Sequence, residues 1–206
     1  MWPEVHHHHL ESCAPERLRP TQMSVGLSEV AIKRREWAAL GRKQRHETLQ
    51  QQVFPAVLGP GNRYYIIDHH HLGLALIEEA VDRVWIALQD DLSWLEPAVF
   101  WRTMEFRAWA HPFDAGGKRR EYRDMPRRLT ELQDDPYRSL AGNVHRGGGF
   151  AKSAAPFAEF LWADFFRTRI SARSARREPR RALREGVALA KSAAARYLPG
   201  WSGTQP

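Results

Sequence analysis

Cysteine is almost absent from this sequence, since Cys13 is the one cysteine among 206 residues. A lone cysteine cannot form an internal disulfide, which is typical of a reducing compartment, so the sequence predicts a cytoplasmic protein. Long hydrophobic runs are also missing, because none approaches the ~18 residues that a membrane span requires. The N-terminus lacks the basic and then apolar layout of a secretory signal. We therefore expect no contact with a membrane.

Acidic residues are fewer than basic ones, with 24 Asp and Glu against 31 Lys and Arg. The formal net charge is +7 and the sequence pI is about 10.0. Such an excess favours polyanionic partners, among them nucleic acid, nucleotides and anionic surfaces, without choosing one of them. Hydrophobic residues make up 43% of the chain, which is enough to bury a substantial core.

The order of the predicted elements divides the chain into three parts. Residues 1–16 are predicted as a flexible tail, because prolines and a histidine run interrupt any periodic pattern. Residues 17–92 contain an extended segment, a polar helix, two short strands, a helix and a third strand, which is typical of a small mixed sheet with packed helices. Residues 93–206 are mostly helical, and we expect them to pack on this core. The predicted fold class is α+β.

A strand pattern ends abruptly in one acid and three histidines, Asp68-His69-His70-His71, and a helical pattern follows. Asp68 is a favourable N-cap residue, so the next backbone N–H groups would point outward without partners. A helix start of this kind attracts anions, and the imidazoles add hydrogen-bond donors. The motif predicts a phosphate-binding site, with Asp68 and His70 as catalytic candidates. The alternative is that Asp68 only caps the helix and the histidines lie on a surface turn.

A zinc site is not predicted at these histidines. Successive residues at a helix start diverge by about 100°, and the position four residues after His71 is occupied by Ala75. The spacing of a helical zinc motif is therefore missing. Magnesium carried by a nucleotide fits better, because it keeps most of its waters and needs only one or two carboxylates.

The segment Leu18-Arg19-Pro20-Thr21-Gln22, taken together with Asp68-His69-His70-His71, resembles the ParB-like domains of the ParB/sulfiredoxin superfamily. The branch it resembles most is the one called putative ParB-like nucleases, since the similarity extends through residues 135–142 and on to residues 157–160. In this superfamily a strand leads into an Asp-Gly-His-His-Arg-type motif at a helix start. The resemblance covers residues 17–92 as the fold core and implies that a phosphate group binds at that helix start.

Relatives of this fold have several activities. Some bind or hydrolyse nucleotides, some transfer phosphate, and partition proteins use the fold as a nucleotide-gated DNA clamp. For this chain the resemblance implies a nucleotide such as ATP, ADP or CTP, with Mg²⁺, as cofactor. Sulfiredoxin chemistry is disfavoured, because no cysteine lies beside the histidines. The residues expected to hold the phosphate or nucleotide are Thr21, Gln22, Asp68, His69, His70, His71 and Arg138.

Two further groups have competing interpretations. Glu29 corresponds to an acid that serves as the base in phosphate-transferring relatives, although the helix dipole alone also favours an acid in a first turn. Arg138 lies beside Asp135 at a predicted helix start, where its fork-shaped guanidinium would clamp phosphate. The same sequence would be expected if Asp135 only caps the helix and Arg138 only packs against neighbouring residues.

Arginines are concentrated towards the C-terminus, with eight of them between Arg167 and Arg184. Such a run could follow a nucleic-acid backbone with salt-sensitive, sequence-independent binding. A solvated helix end would have the same pattern. The candidates for nucleic-acid contact are Arg173, Arg176, Arg177, Arg180 and Arg181.

The sequence therefore predicts a ParB-like protein that binds a nucleotide or phosphate ester at the histidine-bearing helix start, with nucleotide hydrolysis or phosphate transfer as its chemistry. The alternative is a DNA-binding, nuclease or chromosome-partitioning-related protein that uses the arginine-rich stretch. A third interpretation is a ParB-like scaffold without chemistry that acts through partner proteins.

Overall fold

The structure is a computed structural model that describes residues 10–203. The chain forms two compact units, each made of several segments. The first unit contains the residues up to Met23, Val30–Phe113 and Arg119–Leu132. The second unit contains Ser24–Glu29, Asp114–Lys118 and the residues from Gln133 onward. The units interleave along the chain, whereas the sequence analysis divided the folded part once, after residue 92.

The described residues contain seven strands and eight α-helices. The strands are β1 (Leu10–Cys13), β2 (Leu18–Arg19), β3 (Ser24–Val25), β4 (Phe54–Gly59), β5 (Arg63–Ile66), β6 (Val84–Asp91) and β7 (Gln133–Asp134). The helices are α1 (Leu27–Ala39), α2 (Arg42–Gln51), α3 (His70–Glu78), α4 (Pro97–Phe106), α5 (Pro136–Arg146), α6 (Ala158–Arg167), α7 (Ala172–Arg177) and α8 (Pro179–Lys191). Short 3-10 turns occupy Pro15–Arg17, Tyr122–Asp124, Leu129–Glu131 and Ala193–Ala195.

A five-stranded mixed sheet lies in the first unit, with the strand order β1-β6-β4-β5-β2. The central strand β4 pairs in parallel with β6 and antiparallel with β5. The turn between β4 and β5 contains Gly61 and Asn62, and both have the positive φ that a tight hairpin turn requires. Strand β2 lies at the edge of the sheet and runs parallel to β5.

Strand β1 corrects the prediction of a flexible tail through residue 16. Leu10–Cys13 pairs antiparallel with β6, and Cys13 is buried. The 3-10 turn Pro15–Arg17 then leads directly into β2. A strand of four residues shows too little alternation to be recognised, and its partner strand is distant in the sequence. Residues 1–9 of the predicted tail lie outside the described residues.

Helix α3 packs against side chains of the sheet through its apolar residues. Leu74, Ala75 and Leu76 are buried. Gly73 permits a close approach, because a Cβ atom there would lie 2.7 Å from the Leu129 side chain and 3.3 Å from that of Phe54. This contact fixes the helix whose first residues are the predicted phosphate site.

The second unit contains helices α5 to α8 and the short parallel pair β3-β7. Trp162, Phe165 and Phe166 of α6 belong to its buried core. The spacing of the aromatic residues between Phe157 and Phe166 in the sequence predicts a buried helix, and the structure confirms it. Asp135 caps α5 by accepting a hydrogen bond from the Tyr137 N–H at 2.9 Å, which also agrees with the sequence analysis.

The predicted α+β fold class is confirmed by this mixture of one small mixed sheet and packed helices. Among the helices of the described chain, none combines the length and the apolar character needed to cross a membrane.

Gly26 is a position in the second unit where any side chain should destabilise the fold. A Cβ atom on Gly26 would lie 2.7 Å from the Ser139 backbone nitrogen and 2.8 Å from its Cα, and a helix backbone cannot move aside easily. We expect Gly26→Ala to lower the free energy of unfolding by about 2–3 kcal/mol, the upper part of the range for overpacking. Urea denaturation followed by circular dichroism measures this change.

The matched control is Gly41→Ala, since the nearest atom to a Cβ there is the Gln44 Oε1 at 3.6 Å. Gly41 is the N-cap of α2, so its replacement should cost less than about 1 kcal/mol. Equal losses in the two variants would show that the close approach at Ser139 is unimportant.

Candidate functional site

Helix α3 begins at His70, and the residue in its N-cap position is His69 rather than Asp68. The Asp68 carboxylate accepts a hydrogen bond from the His69 N–H at 2.6 Å. His69 has a left-handed backbone with a φ of 65° and makes no side-chain cap. The prediction that Asp68 caps this helix is therefore wrong, because the helix starts one residue later than that role requires. Asp68 itself is exposed.

His70 connects the helix start to the extended segment that follows β2. Its Nε2 accepts a hydrogen bond from the Thr21 backbone N–H at 3.1 Å, and the Thr21 hydroxyl donates to the Ile66 carbonyl at 2.8 Å. Because the Thr21 N–H is the donor, Nε2 carries a lone pair and the imidazole proton lies on Nδ1. His70 is only 3% exposed. In the structure it holds two segments together, and its predicted catalytic role stays a prediction.

The His69 ring is half-buried against Phe54, with ring centroids 5.8 Å apart at an angle of 68°. Its Nδ1 is buried and has no hydrogen-bond partner among the described residues. Burial lowers the pKa of His69 below its ordinary value of 6.5. The positive charge of Lys33 lowers this pKa further, while the negative charge of Asp68 opposes the shift. His69 is therefore held as a neutral imidazole with one unused ring nitrogen.

The remaining predicted residues of this group are also in the interior. His71 and Gln22 are buried, with 9% and 6% exposure. Gln22 forms an isolated parallel bridge with His111. Because Thr21 contacts His70 directly, the two sequence motifs that carry the family resemblance come together in the first unit.

Glu29 and Arg138 belong to an ion-pair network inside the second unit. The Glu29 carboxylate contacts the Arg138 Nη1 at 3.1 Å and the Arg146 Nη1 at 2.7 Å. The second terminal nitrogen of Arg138 is paired with Glu159. Both carboxylate oxygens of Glu29 are therefore engaged in ion pairs. Arg138 likewise has both terminal nitrogens engaged by carboxylates, so the geometry supports the alternative interpretation of a packing corner.

The arginine-rich stretch divides into paired and exposed members. Arg167 is paired with Asp135 at 2.8 Å and with Asp164 at 3.2 Å. The five predicted nucleic-acid contacts on α7 and α8 are all exposed. Arg173 and Arg181 share Glu178 as a partner. Of these five predicted contacts, Arg176, Arg177 and Arg180 have no acidic partner among the described residues.

A cleft of about 360 Å³ in the first unit, which we call the basic cleft, was not predicted. Its wall combines five arginines with a single acidic residue, Glu16. The arginines are Arg17, Arg19, Arg63, Arg127 and Arg128. Across the described residues, the guanidiniums of Arg17, Arg63 and Arg127 have no ion pair or hydrogen bond. Arg128 pairs with Glu131 at 3.8 Å, so the basic cleft keeps an excess of positive charge after this pair is counted.

Arg19 lies at the centre of this charge. Burial and then the positive charges of Arg63 and Arg127 lower its pKa. Its Nη1 donates a hydrogen bond to the Arg127 carbonyl at 2.6 Å, which ties two distant segments together. An anion placed among these arginines would relieve their mutual repulsion and accept their hydrogen bonds.

Sequence reasoning missed the basic cleft because its arginines come from three separate segments. The parallel pairing of β2 with β5 places Arg19 opposite Tyr65 and therefore close to Arg63. Arg127 and Arg128 arrive from a loop far along the chain. The one local pattern in the sequence that could have indicated this cleft is the pair Arg17 and Arg19, which flank the apolar residue Leu18 in an extended segment.

The described part of the chain contains no group of three or more His, Cys, Asp or Glu side chains that could bind a metal ion. The sequence analysis had predicted no zinc site at the three histidines. Magnesium bound mainly through a nucleotide would need fewer protein ligands.

Comparison with known proteins supports the resemblance drawn from the two motifs. The family model described as "Putative ParB-like nuclease" matches residues 11–168. The crystal structure of protein Atu1540 from Agrobacterium tumefaciens is similar, with a TM-score of 0.89 and 44% sequence identity. The match covers 96% of this chain and 100% of that one. No curated protein matches the sequence.

The lowered pKa of His69 predicts a pH-dependent contribution to stability. Below the ordinary value of 6.5 the unfolded chain binds a proton at this residue that the folded chain does not bind. Stability should therefore fall as the pH decreases through that value. We expect His69→Asn, which tolerates a left-handed backbone, to lose less unfolding free energy than the wild type between pH 7.5 and pH 5.5. Urea denaturation at the two pH values measures the difference.

His46→Asn is the control, because His46 is exposed on α2. Its pH dependence should match that of the wild type. If His69→Asn also matches the wild type, His69 does not stay neutral in the folded protein.

Proposed function

This chain belongs to the family described as putative ParB-like nucleases, and on that basis we propose that it binds nucleic acid through the basic cleft. The observation that carries the proposal is the presence of five arginines and one acidic residue around a single cleft. Guanidiniums bind phosphate oxygens in a forked, two-bond geometry, so this lining suits a phosphodiester backbone. The net charge of +7 has the matching sign.

Contacts of this kind read the backbone and not the bases. Each phosphate that the arginines neutralise releases a counterion, so binding should weaken steeply as salt rises. Backbone hydrolysis, which the family description suggests, would also need a group that activates water. Glu16 is the one carboxylate that lines the basic cleft, so the proposal covers binding alone.

Neutralising three cleft arginines should test this site directly. The set Arg17→Gln, Arg63→Gln and Arg127→Gln removes side chains that make no hydrogen bond or ion pair among the described residues, so the fold should persist. We expect the slope of log affinity against log salt to fall by about 3. Fluorescence anisotropy with a labelled oligonucleotide between 50 and 200 mM NaCl measures the slope.

A matched triple on α7 and α8 gives the control and tests the predicted alternative. Arg176→Gln, Arg177→Gln and Arg180→Gln change the net charge equally and are also exposed without an acidic partner in the described chain. The proposal requires a smaller effect from this triple than from the cleft triple. The reverse order would move the site to the arginine-rich stretch.

A second candidate function is nucleotide binding at the start of α3, with ATP, ADP or CTP and Mg²⁺. It is favoured by the buried and unpartnered Nδ1 of His69 at the N-cap of a nine-residue helix. A phosphate oxygen that accepted a hydrogen bond from this ring N–H would also lie close to the partial positive charge of the helix start. Hydrolysis or phosphate transfer would require a base other than Glu29, which two arginines hold.

Isothermal titration of ATP, ADP and CTP with Mg²⁺ tests this second candidate. We expect binding of at least one nucleotide, weakened about tenfold or more in His69→Asn because a charge-assisted hydrogen bond is lost. His46→Asn should bind like the wild type. Absence of binding by the folded wild-type protein would remove this candidate and leave the basic cleft proposal unaffected.

A further inference from the structure

A second cleft, of about 260 Å³, adjoins the basic cleft and shares Arg19, Arg63 and Arg127 with it. We call it the aromatic cleft, because Tyr65, Trp101 and Tyr122 line it. Phe100, three prolines and a methionine complete the apolar part of its wall, and no acidic side chain is among the described residues that line it. The three shared arginines therefore stand between a polar and an aromatic cavity.

The aromatic rings are partly exposed and held in fixed orientations. Trp101 lies nearly parallel to Tyr122, with centroids 6.1 Å apart and an angle of 14°. Tyr65 meets Trp101 edge-on at 5.5 Å. The Tyr122 hydroxyl donates to Glu105, which also pairs with Arg119. Rings fixed in this way lose little entropy when a planar ligand stacks on them.

Strand geometry places the two clefts on either side of the arginines. Successive side chains of a strand point to opposite faces, and on β5 Tyr64 lines the basic cleft while Tyr65 lines the aromatic cleft. Arg19 on the edge strand β2 lines both cavities. A ligand that crosses this edge meets positive charge between two cavities of different character.

We propose, resting on the proposed function, that the aromatic cleft receives an unstacked nucleobase while the shared arginines hold the adjoining phosphate. The ligand of this site is then single-stranded nucleic acid. Stacking of bases on aromatic side chains tolerates any sequence, since every base has a π face. In a duplex those faces are covered by neighbouring base pairs, and exposing them costs unstacking energy.

Charge and size favour this occupant over an apolar peptide. Arg123 adds a fourth guanidinium to the three shared ones, and an uncharged peptide would leave those of Arg63, Arg123 and Arg127 without a charged partner. The volume of about 260 Å³ is below the range of about 300–1,000 Å³ that is usual for drug-sized ligands. It suits one planar ring system with a charged group at its mouth.

Three fluorescent probes of equal length separate the contribution of bases from that of phosphates. They are a single-stranded thymidine oligomer, its duplex with adenosine oligomer, and an abasic deoxyribose-phosphate oligomer, each measured by anisotropy at 50 mM NaCl. We expect the thymidine oligomer to bind between about fivefold and about a hundredfold more tightly than the abasic oligomer. It should also bind more tightly than the duplex.

Trp101→Leu and Tyr122→Leu should each reduce binding of the thymidine oligomer towards the level of the abasic oligomer and leave abasic binding unchanged. Two independent variants guard against a local folding defect in either one. Trp94→Leu is the matched control, because Trp94 is 77% exposed in the same unit and lines neither cleft. It should behave like the wild type.

The outcomes distinguish this inference from the function on which it rests. Equal affinity for the thymidine and abasic oligomers, with both weakened by the cleft arginine triple, would overturn base binding and keep phosphate binding. Tighter binding of the duplex would overturn the single-strand preference. If the cleft arginine triple leaves every affinity unchanged, the basic cleft is not the site and both ideas fall.

Discussion

The parallel pairing of β2 with β5 is the interaction on which both candidate sites of the first unit depend. Leu18 of β2 is fully buried, and a shift of one residue would bring Arg19 to the inner face in its place. This burial fixes the register of a two-residue edge strand. The same register positions Thr21, two residues after β2. The backbone N–H of Thr21 donates a hydrogen bond to His70, and its hydroxyl donates one to the Ile66 carbonyl.

The pairing of β2 with β5 has different consequences for buried and for exposed polar groups. Inside, Thr21 and His70 satisfy each other, because an unpaired polar group in the interior is costly. Outside, Arg19 and Arg63 are brought together, and the positive charge of Arg63 lowers the pKa of Arg19 more than the negative charge of Glu131 raises it. The arginines at the sheet edge therefore line one cleft together, and this arrangement is the basis of the proposed anion binding. Among the histidines, His69 alone retains an unused buried nitrogen within the described residues.

The net charge of this protein does not show which of its arginines could contact an anion. In the second unit, Arg138, Arg146 and Arg167 are engaged by carboxylates. Surface arginines such as Arg176 and Arg177 are exposed on a helix, where solvent screens them. In the basic cleft the guanidiniums converge on one cavity, so a single anion can contact several of them at once. The net charge of +7 does not distinguish the paired arginines, the solvent-exposed arginines and the arginines of the basic cleft.

Local patterns were enough to predict the α+β class, the strand and helix order from residue 53 to residue 91, and the buried aromatic helix α6. Each of these follows from a periodicity within one segment. The sequence also revealed the family through two motifs that meet at Thr21 and His70. The folded chain was needed to identify the N-cap of α3, the partners of Glu29 and Arg138, strand β1 and the two clefts. These features join residues distant in the chain, or depend on one backbone dihedral at His69, and no local pattern encodes such contacts.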